Sequence, residues 1–276
     1  MMQVAIQGEA GSFSHAAALE TLGGALRLVP CGTFEDLFHA VESEAADRGI
    51  VPIENTLAGS VHQNYDLLSE HALHVVAETE LRIRHCLIAR RGTDLKDIVR
   101  VASHPVALAQ CRRFFVEHPH LVAVPAYDTA GSVRDLMAGK DAADAAIASA
   151  LAADLYGAAV LAEGLEDHAE NYTRFLVVAR EPAPAASASK VSLMFTLTNA
   201  PGVLHRALGV FATRGLDLTK IESRPLPGRP WEYLFYLDVM GDARGTLAEA
   251  LDELRTFAPV VRVLGAYPAA TDHTDR

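Results

Sequence analysis

Four short stretches of this chain combine glycine, small polar side chains and a helix start, with almost no conventional acid–base residues among them. In Gly8-Glu9-Ala10-Gly11-Ser12-Phe13-Ser14-His15, two glycines after a strand let backbone N–H groups approach a ligand, and Ser12 or Ser14 can cap the helix that follows. In Pro52-Ile53-Glu54-Asn55-Thr56-Leu57-Ala58-Gly59-Ser60-Val61, Asn55 and Thr56 lie just past an apolar strand. Ser60 there is placed to cap the next helix and leave its N–H groups for an anion. Ser103-His104-Pro105 predicts a helix start capped by Ser103; Ala107 and Gln110 then share its face, so that a hydroxyl and an amide line one wall. Glu170-Asn171-Tyr172-Thr173-Arg174-Phe175 feeds a strand whose alternation sends Thr173 and Phe175 to one side and Arg174 to the other. The chemistry such groups offer is hydrogen-bond donation to a polar or anionic ligand. Taken singly, the stretches read as well as a strand–helix turn, a capped loop, a helix cap with a half-buried glutamine, and a β-forming threonine.

Other chemistries find little support. His71 and His74, like His118 and His120, lack the spacing and carboxylate company of a zinc site, and no HExxH, CxxC, G-x-S-x-G or P-loop pattern occurs. No metal or other cofactor is expected, and His15 and His104 read as structural or supporting groups. A formal net charge of −11 argues against a nucleic-acid partner and means that any anion site rests on local donors. Cys31, Cys86 and Cys111 are odd in number, far apart and in apolar surroundings, which fits reduced thiols in the cytoplasm. The opening Met1-Met2-Gln3-Val4-Ala5-Ile6 has no basic n-region, so no signal peptide is expected. Residues 142–162 are the most apolar stretch, but Asp144 and Asp154 interrupt them; they predict an Ala-rich helix or two, and no membrane partner.

Strands and helices in alternation must position the four stretches. Val4-Ala5-Ile6 leads through the first turn to a helix over 14–22; residues 49–53 form a strand and 61–68 a helix; further strands fall at 87–89, 99–101, 145–147 and 175–178. This rhythm predicts an α/β architecture with mostly parallel sheets, whose ligands bind in the loops after Ile6, Ile53 and Val101. Residues 180–190 hold two prolines among mostly small residues and read as a linker. Beyond it Val191, Leu193, Phe195 and Leu197 alternate with polar or exposed positions, as in a half-buried strand. A helix from Pro201 carries Val203, Leu204, Ala207, Leu208 and Phe211 on one face and ends at Gly215. A strand through 219–223 turns at Leu226-Pro227-Gly228 and pairs with residues 231–239; a helix bearing Leu247, Leu251 and Leu254 and a strand over 260–264 follow. The order βαββαβ predicts a ferredoxin-like sandwich, with a frayed tail over 269–276.

Together and in this order, with Asp66-Leu67-Leu68 between the second and third, the four stretches resemble the prephenate dehydratase family. Pro201-Gly202-Val203-Leu204 and Ile221-Glu222-Ser223-Arg224-Pro225 resemble an ACT domain, an amino-acid-binding ferredoxin-like module. Position 106 is often Gln in the family but is Val106 here, which leaves it outside the expected site; Thr56 replaces a frequent Ser and keeps the hydroxyl. The resemblance implies a catalytic region over 1–180 with two α/β lobes like those of type II solute-binding proteins. Lobe one would span about 1–73 and 166–180, lobe two about 74–165, with a linker over 181–190 and the ACT domain over 191–268. It further implies a hydro-lyase that removes carbon dioxide from C1 and hydroxide from C4 of prephenate, giving phenylpyruvate in phenylalanine biosynthesis. Aromatisation drives that reaction, so oriented donors suffice and a nearby carboxylate would repel the dianion. Thr173 would be catalytic, donating to the departing hydroxyl, while Asn55, Thr56, Ser103, Gln110, Arg174 and Phe175 would contact substrate. L-Phenylalanine would act as allosteric effector at Gly202, Val203, Leu204, Glu222, Ser223 and Arg224, where ACT domains meet in a homodimer or homotetramer. An arogenate dehydratase and a non-catalytic amino-acid sensor are the alternatives.

Overall fold

The structure, a computed structural model, describes residues 1–140, 142–184, 188–226, 228–229, 232–241 and 244–270. Residues 185–187 of the expected linker, Pro227 of the expected turn, Trp231 and the tail from 271 lie outside the described residues. Two compact units divide the chain, Met1–Val61 with Glu80–Phe175, and His62–Thr79 with Leu176–Arg276.

The chain begins with β1 (Met2–Gln7), whose Val4, Ala5 and Ile6 are wholly buried. Then α1 (Phe13–Leu22) is capped by the Ser12 side chain, which accepts from the His15 N–H at 3.3 Å. After β2 (Leu26–Cys31), Thr33 and Asp36 close a reciprocal capping box at the start of α2 (Phe34–Glu42). The hairpin that carries Asn55 consists of β3 (Arg48–Asn55) and the short β4 (Gly59–Ser60), so Ser60 pairs with Glu54. There follow α3 (His62–Glu70) and β5 (His74–Arg82). Next come β6 (Cys86–Ala89), a 3-10 turn at Leu95–Asp97, β7 (Arg100–Ser103), α4 (Pro105–Gln110), α5 (Arg112–Glu117) and β8 (Val122–Pro125). Then α6 (Thr129–Met137), β9 (Ala145–Ala148), α7 (Ala150–Tyr156) and β10 (Ala159–Glu163) lead to β11 (Tyr172–Ala179).

One sheet has the order β2-β1-β3-β11-β5 with β4 beside β3, and a second the order β10-β6-β9-β7-β8. This is the expected two-lobed α/β arrangement, although the second sheet is mixed: β7 runs parallel to β8 and β9, whereas β6 is antiparallel to β9 and β10. Its strands begin at Cys86, because β5, expected in lobe two from His74, belongs to the first sheet. The Ala-rich stretch is strand, helix and strand: Asp144 accepts from the Val99 and Arg100 amides beside β9, and Ser149 caps α7. Ser103 also departs from expectation. Its backbone is still in register with Pro125 of β8, so His104 becomes the cap of α4, its ring nitrogen accepting from Val106 at 3.3 Å.

The glycine turn after β1 is held by the second sheet's helices. The Ser149 hydroxyl donates to the Gly11 carbonyl at 2.5 Å, the Tyr156 hydroxyl to that of Ala10 at 2.9 Å, and Arg134 pairs with Glu9 at 2.5 Å. Gly11 has φ +89°, and a Cβ there would sit 2.8 Å from the Ala152 Cα, on backbone that cannot yield. Gly11→Ala is therefore expected to cost about 3 kcal/mol and lower the melting temperature by roughly 5–10 °C. A melting temperature unchanged in calorimetry would contradict this packing.

The second unit has β12 (Lys190–Leu197), α8 (Val203–Ala212), β13 (Leu218–Pro225), β14 (Tyr233–Met240), α9 (Thr246–Arg255) and β15 (Val260–Tyr267), with sheet order β13-β14-β12-β15. This is the ferredoxin-like sandwich expected from the pattern. Val191, Leu193, Phe195 and Leu197 join Ala207, Phe211, Leu247, Leu251 and Leu254 in its core. Residues 62–79 belong to this unit because α3 and β5 dock on polar side chains of the same sheet. The Arg224 guanidinium donates to both oxygens of Asp66, at 3.0 and 2.8 Å, and the Tyr236 hydroxyl to the Tyr65 carbonyl at 2.5 Å. Arg262 reaches the carbonyls of Ser69, His71 and Leu73 at the end of α3. Among the described residues no helix is long and apolar enough to cross a membrane.

Candidate active site

Asn55 ends β3 with its side chain held in one orientation. Its Oδ1 accepts from the backbone N–H groups of Leu57 at 3.0 Å and Ala58 at 2.8 Å, and an amide N–H can only donate. Nδ2 is thereby the donor end, and its two N–H groups are shared among three acceptors, Asn171 Oδ1 at 2.8 Å, the Tyr172 carbonyl at 3.0 Å and Thr173 Oγ1 at 2.9 Å. Thr173 accepts in that last bond, which leaves its own O–H proton to give elsewhere. No other partner for this hydroxyl occurs among the described residues, and Thr173 is 9% exposed.

The chain of amides continues. Asn171, wholly buried, accepts through Oδ1 and so donates through Nδ2, to Gln110 Oε1 at 3.0 Å. Gln110 Oε1 also lies 2.9 Å from His85 Nε2. Gln110 lines a cavity of about 320 Å³ with Leu57, Ala58, Val106, Arg112 and Asp167. Its one carboxylate, Asp167, accepts from the amides of Arg112 at 3.2 Å and Arg113 at 2.8 Å. Thr173 is not among the residues that line this cavity; Asn55 and Asn171 join it to Gln110, which is.

Other expected site residues turn out to support these. Thr56 donates to the Glu170 carbonyl at 2.7 Å and accepts from the Tyr172 N–H at 3.0 Å, which staples the start of β11 beside β3. Ser103 is wholly buried and donates to the Ile147 carbonyl at 2.6 Å, so it ties β7 to β9 and does not share a wall with Gln110. Phe175 is buried at 2% exposure, and Arg174 leaves the opposite face of β11 from Thr173. The Cys111 thiol beside Gln110 is pushed up to about 12, by burial first and by the Glu166 and Asp167 carboxylates next. It is no nucleophile at neutral pH.

Three residues outside the expected site belong to this arrangement. Val106, set aside because it lacks the amide, lines the cavity with an apolar surface. Asn171 was legible only as the neighbour of Thr173, and His85 carried no pattern, because its partners lie 25 and 81 residues away.

A second cavity of about 530 Å³ lies in the ferredoxin-like unit, lined by Gly202, Val203, Leu204, Ser223, Tyr233 and Phe235 among others. Gly202 at φ +79° forms the N-cap of α8. Four of the six residues expected to bind an effector meet there. Glu222 and Arg224 do not, because alternation along β13 turns them to the α3 side, where Glu222 lies 3.5 Å from His62 and Arg224 holds Asp66.

Comparisons with known proteins agree with this architecture. The prephenate dehydratase family model matches residues 4–183 and the ACT domain model residues 191–256. Arogenate dehydratase/prephenate dehydratase 2, chloroplastic, of Arabidopsis thaliana is 43% identical over 98% of this chain and 74% of its own. A prephenate dehydratase from Arthrobacter aurescens, solved in complex with L-Phe, is 34% identical with a TM-score of 0.88, over 96% of this chain and 89% of that one. A solved structure described as GqqA, a novel type of quorum quenching acylase, is 37% identical with a TM-score of 0.89, over 99% and 100% of the two chains. A two-lobed α/β region with a donor-rich cleft, followed by a ferredoxin-like module, is thus that of a hydro-lyase joined to an ACT domain. The chain belongs to the prephenate dehydratase family and carries a C-terminal ACT domain. An amino-acid sensor without catalysis gives way to that assignment.

Proposed function

We propose that this protein converts prephenate to phenylpyruvate, with Thr173 as the hydrogen-bond donor to the leaving hydroxide. The observation that carries the reading is the one-way bond from Asn55 Nδ2 to Thr173 Oγ1, which leaves the threonine proton unclaimed. In the reaction the C1 carboxylate departs as carbon dioxide, its bonding pair enters the ring, and hydroxide leaves from C4. A threonine hydroxyl is too weak an acid to transfer its proton outright, so it stabilises the charge that develops on that oxygen. Gln110 binds polar groups of the substrate, and no acid–base pair is required.

Arogenate carries an ammonium group where prephenate has its ketone, and Asp167 bears on that choice. It is the one carboxylate on the cavity wall among the described residues, and both of its oxygens already accept from backbone amides. With its one wall carboxylate already engaged by the backbone, the cavity offers no carboxylate dedicated to an ammonium group, and the reading keeps the ketone. Kinetics with both substrates under one set of conditions are expected to give the higher kcat/KM for prephenate; a higher value for arogenate would overturn this part of the reading. Hydrolysis of an acyl amide finds less support. Neither Thr173 nor Ser103 has a histidine or carboxylate partner among the described residues, and an acyl-transfer nucleophile needs such a base.

We assign phenylalanine to the second cavity as effector, with copies of the chain paired through their ACT domains. The effector then acts through β13, which offers Ser223 to the cavity and Arg224 to Asp66 of α3. Arg224→Ala should leave phenylalanine binding intact in calorimetry but weaken its effect on turnover by about 2- to 30-fold. An unchanged effect would remove α3 from the route. Three buried free thiols suit a reducing compartment, and we place the protein in the cytoplasm.

A further inference from the structure

His85 is 98% buried by its 2% exposure, yet its Nδ1 has no hydrogen-bond partner among the described residues. Buried polar atoms left in this state are rare, and an imidazole kept at such a position calls for a reason beyond packing. The backbone on either side is fixed: the His85 N–H donates to the Glu166 carboxylate at 2.8 Å, and the His85 carbonyl accepts from Leu165 N–H at 3.1 Å. The ring stands edge-on to Phe13, with centroids 5.4 Å apart.

The hydrogen-bond directions derived above settle what this ring does. Asn55 is oriented by two backbone amides, Asn55 orients Asn171, and Asn171 donates to Gln110 Oε1. Gln110 Oε1 is then an acceptor, so the nitrogen 2.9 Å away in His85 must carry a proton. The opposite tautomer would set two lone pairs against each other and bury an unpaired N–H at Nδ1. Burial also lowers the pKa of the ring, against smaller opposing effects of Gln110 and Glu166, which keeps it neutral near pH 7.

We propose that His85 is a positioning residue, a neutral Nε2-protonated imidazole that locks the Gln110 amide with its oxygen inward and its NH2 toward the cavity. Both hydrogen bonds made to the Gln110 side chain fall on Oε1, so its two N–H donors are the groups turned to a ligand. Prephenate offers only acceptors in the carboxylates and ketone of its polar groups, besides the leaving hydroxyl. A Gln110 amide that could reverse would present its oxygen to those acceptors half the time.

The proposal rests on the reading that Gln110 meets the substrate, and two measurements separate the failures. In the wild-type protein, ¹⁵N imidazole spectra should show His85 locked as the neutral Nε2–H tautomer, whatever the substrate is. A ring protonated at Nδ1 alone, or one exchanging between tautomers, overturns the proposal. In kinetics, His85→Leu should raise KM for prephenate about tenfold, the value of one oriented hydrogen bond, and change kcat by less than about threefold. His85→Gln, whose amide nitrogen can take the Nε2 place, should restore most of the loss. Wild-type KM in His85→Leu, or equal KM defects in both folded variants, overturns it as well. The locked tautomer together with wild-type KM in Gln110→Ala would instead count against Gln110 as a substrate ligand.

Discussion

Thr173→Ala is expected to lower kcat for prephenate by about 10²- to 10³-fold, the usual cost of one preorganised donor at a developing oxyanion. KM should change little, because the bond strengthens only as the C4 oxygen gains charge. The size of the effect follows from isolation. Thr173 is 9% exposed, and one lone pair of its hydroxyl is taken by Asn55, which directs its proton away from Asn55. The fold should survive, since the hydroxyl accepts a single bond and Asn55 Nδ2 keeps Asn171 and the Tyr172 carbonyl as partners. Initial rates of phenylpyruvate formation, with circular dichroism melting as the check on folding, decide it.

Asn55→Asp is expected to be nearly as damaging, although it is almost isosteric. The carboxylate cannot donate where Nδ2 stood, so Thr173 would turn its proton back toward residue 55. Asn171 Oδ1 and the Tyr172 carbonyl, at 2.8 and 3.0 Å from Nδ2, would then face a negative oxygen. Leaving such acceptors unpaired costs about 1–3 kcal/mol each, and the added charge repels a dianionic substrate. We expect kcat to fall at least about 10²-fold and the melting temperature to drop. A fully active Asn55→Asp variant would show that the direction of this chain is irrelevant to turnover.

Much of this fold is legible in the sequence where one periodicity dominates. The alternation of Val191, Leu193, Phe195 and Leu197 marks a strand with one face in the sandwich core, and these residues are buried there, but the strand is not half-buried as expected, because Ser192, Met194 and Thr196 on its other face are buried too. Residues 142–162 are harder. Alanine fits a helix or a buried strand equally, and tertiary pairing decides that Ala145–Ala148 is a strand and Ala150–Tyr156 a helix. Ser103 shows how a correct local signal is overridden: Ser-His-Pro does open a helix, but strand pairing with β8 claims Ser103 and passes the cap to His104.

The site was legible as residue types and not as geometry. Asn55 and Thr173 stand 118 residues apart, and neither alone distinguishes a loop asparagine or a β-forming threonine from a hydrogen-bonded pair at a candidate site. The bond directions come from backbone amides at Leu57 and Ala58, which no side-chain pattern records. Alternation along β11 did foretell that Arg174 would leave Thr173, whereas on β13 Glu222, Ser223 and Arg224 were expected together and Ser223 parts from its neighbours.

The central claim is that the Thr173 hydroxyl, and not the volume of its side chain, carries the reaction. Thr173→Ser and Thr173→Val, assayed side by side on prephenate, test it most directly. Serine keeps the donor and should retain kcat within about tenfold, whereas valine keeps the shape and should fall as far as alanine, about 10²-fold or more. Valine turning over at the wild-type rate, or both variants losing equally while folded, would contradict the account.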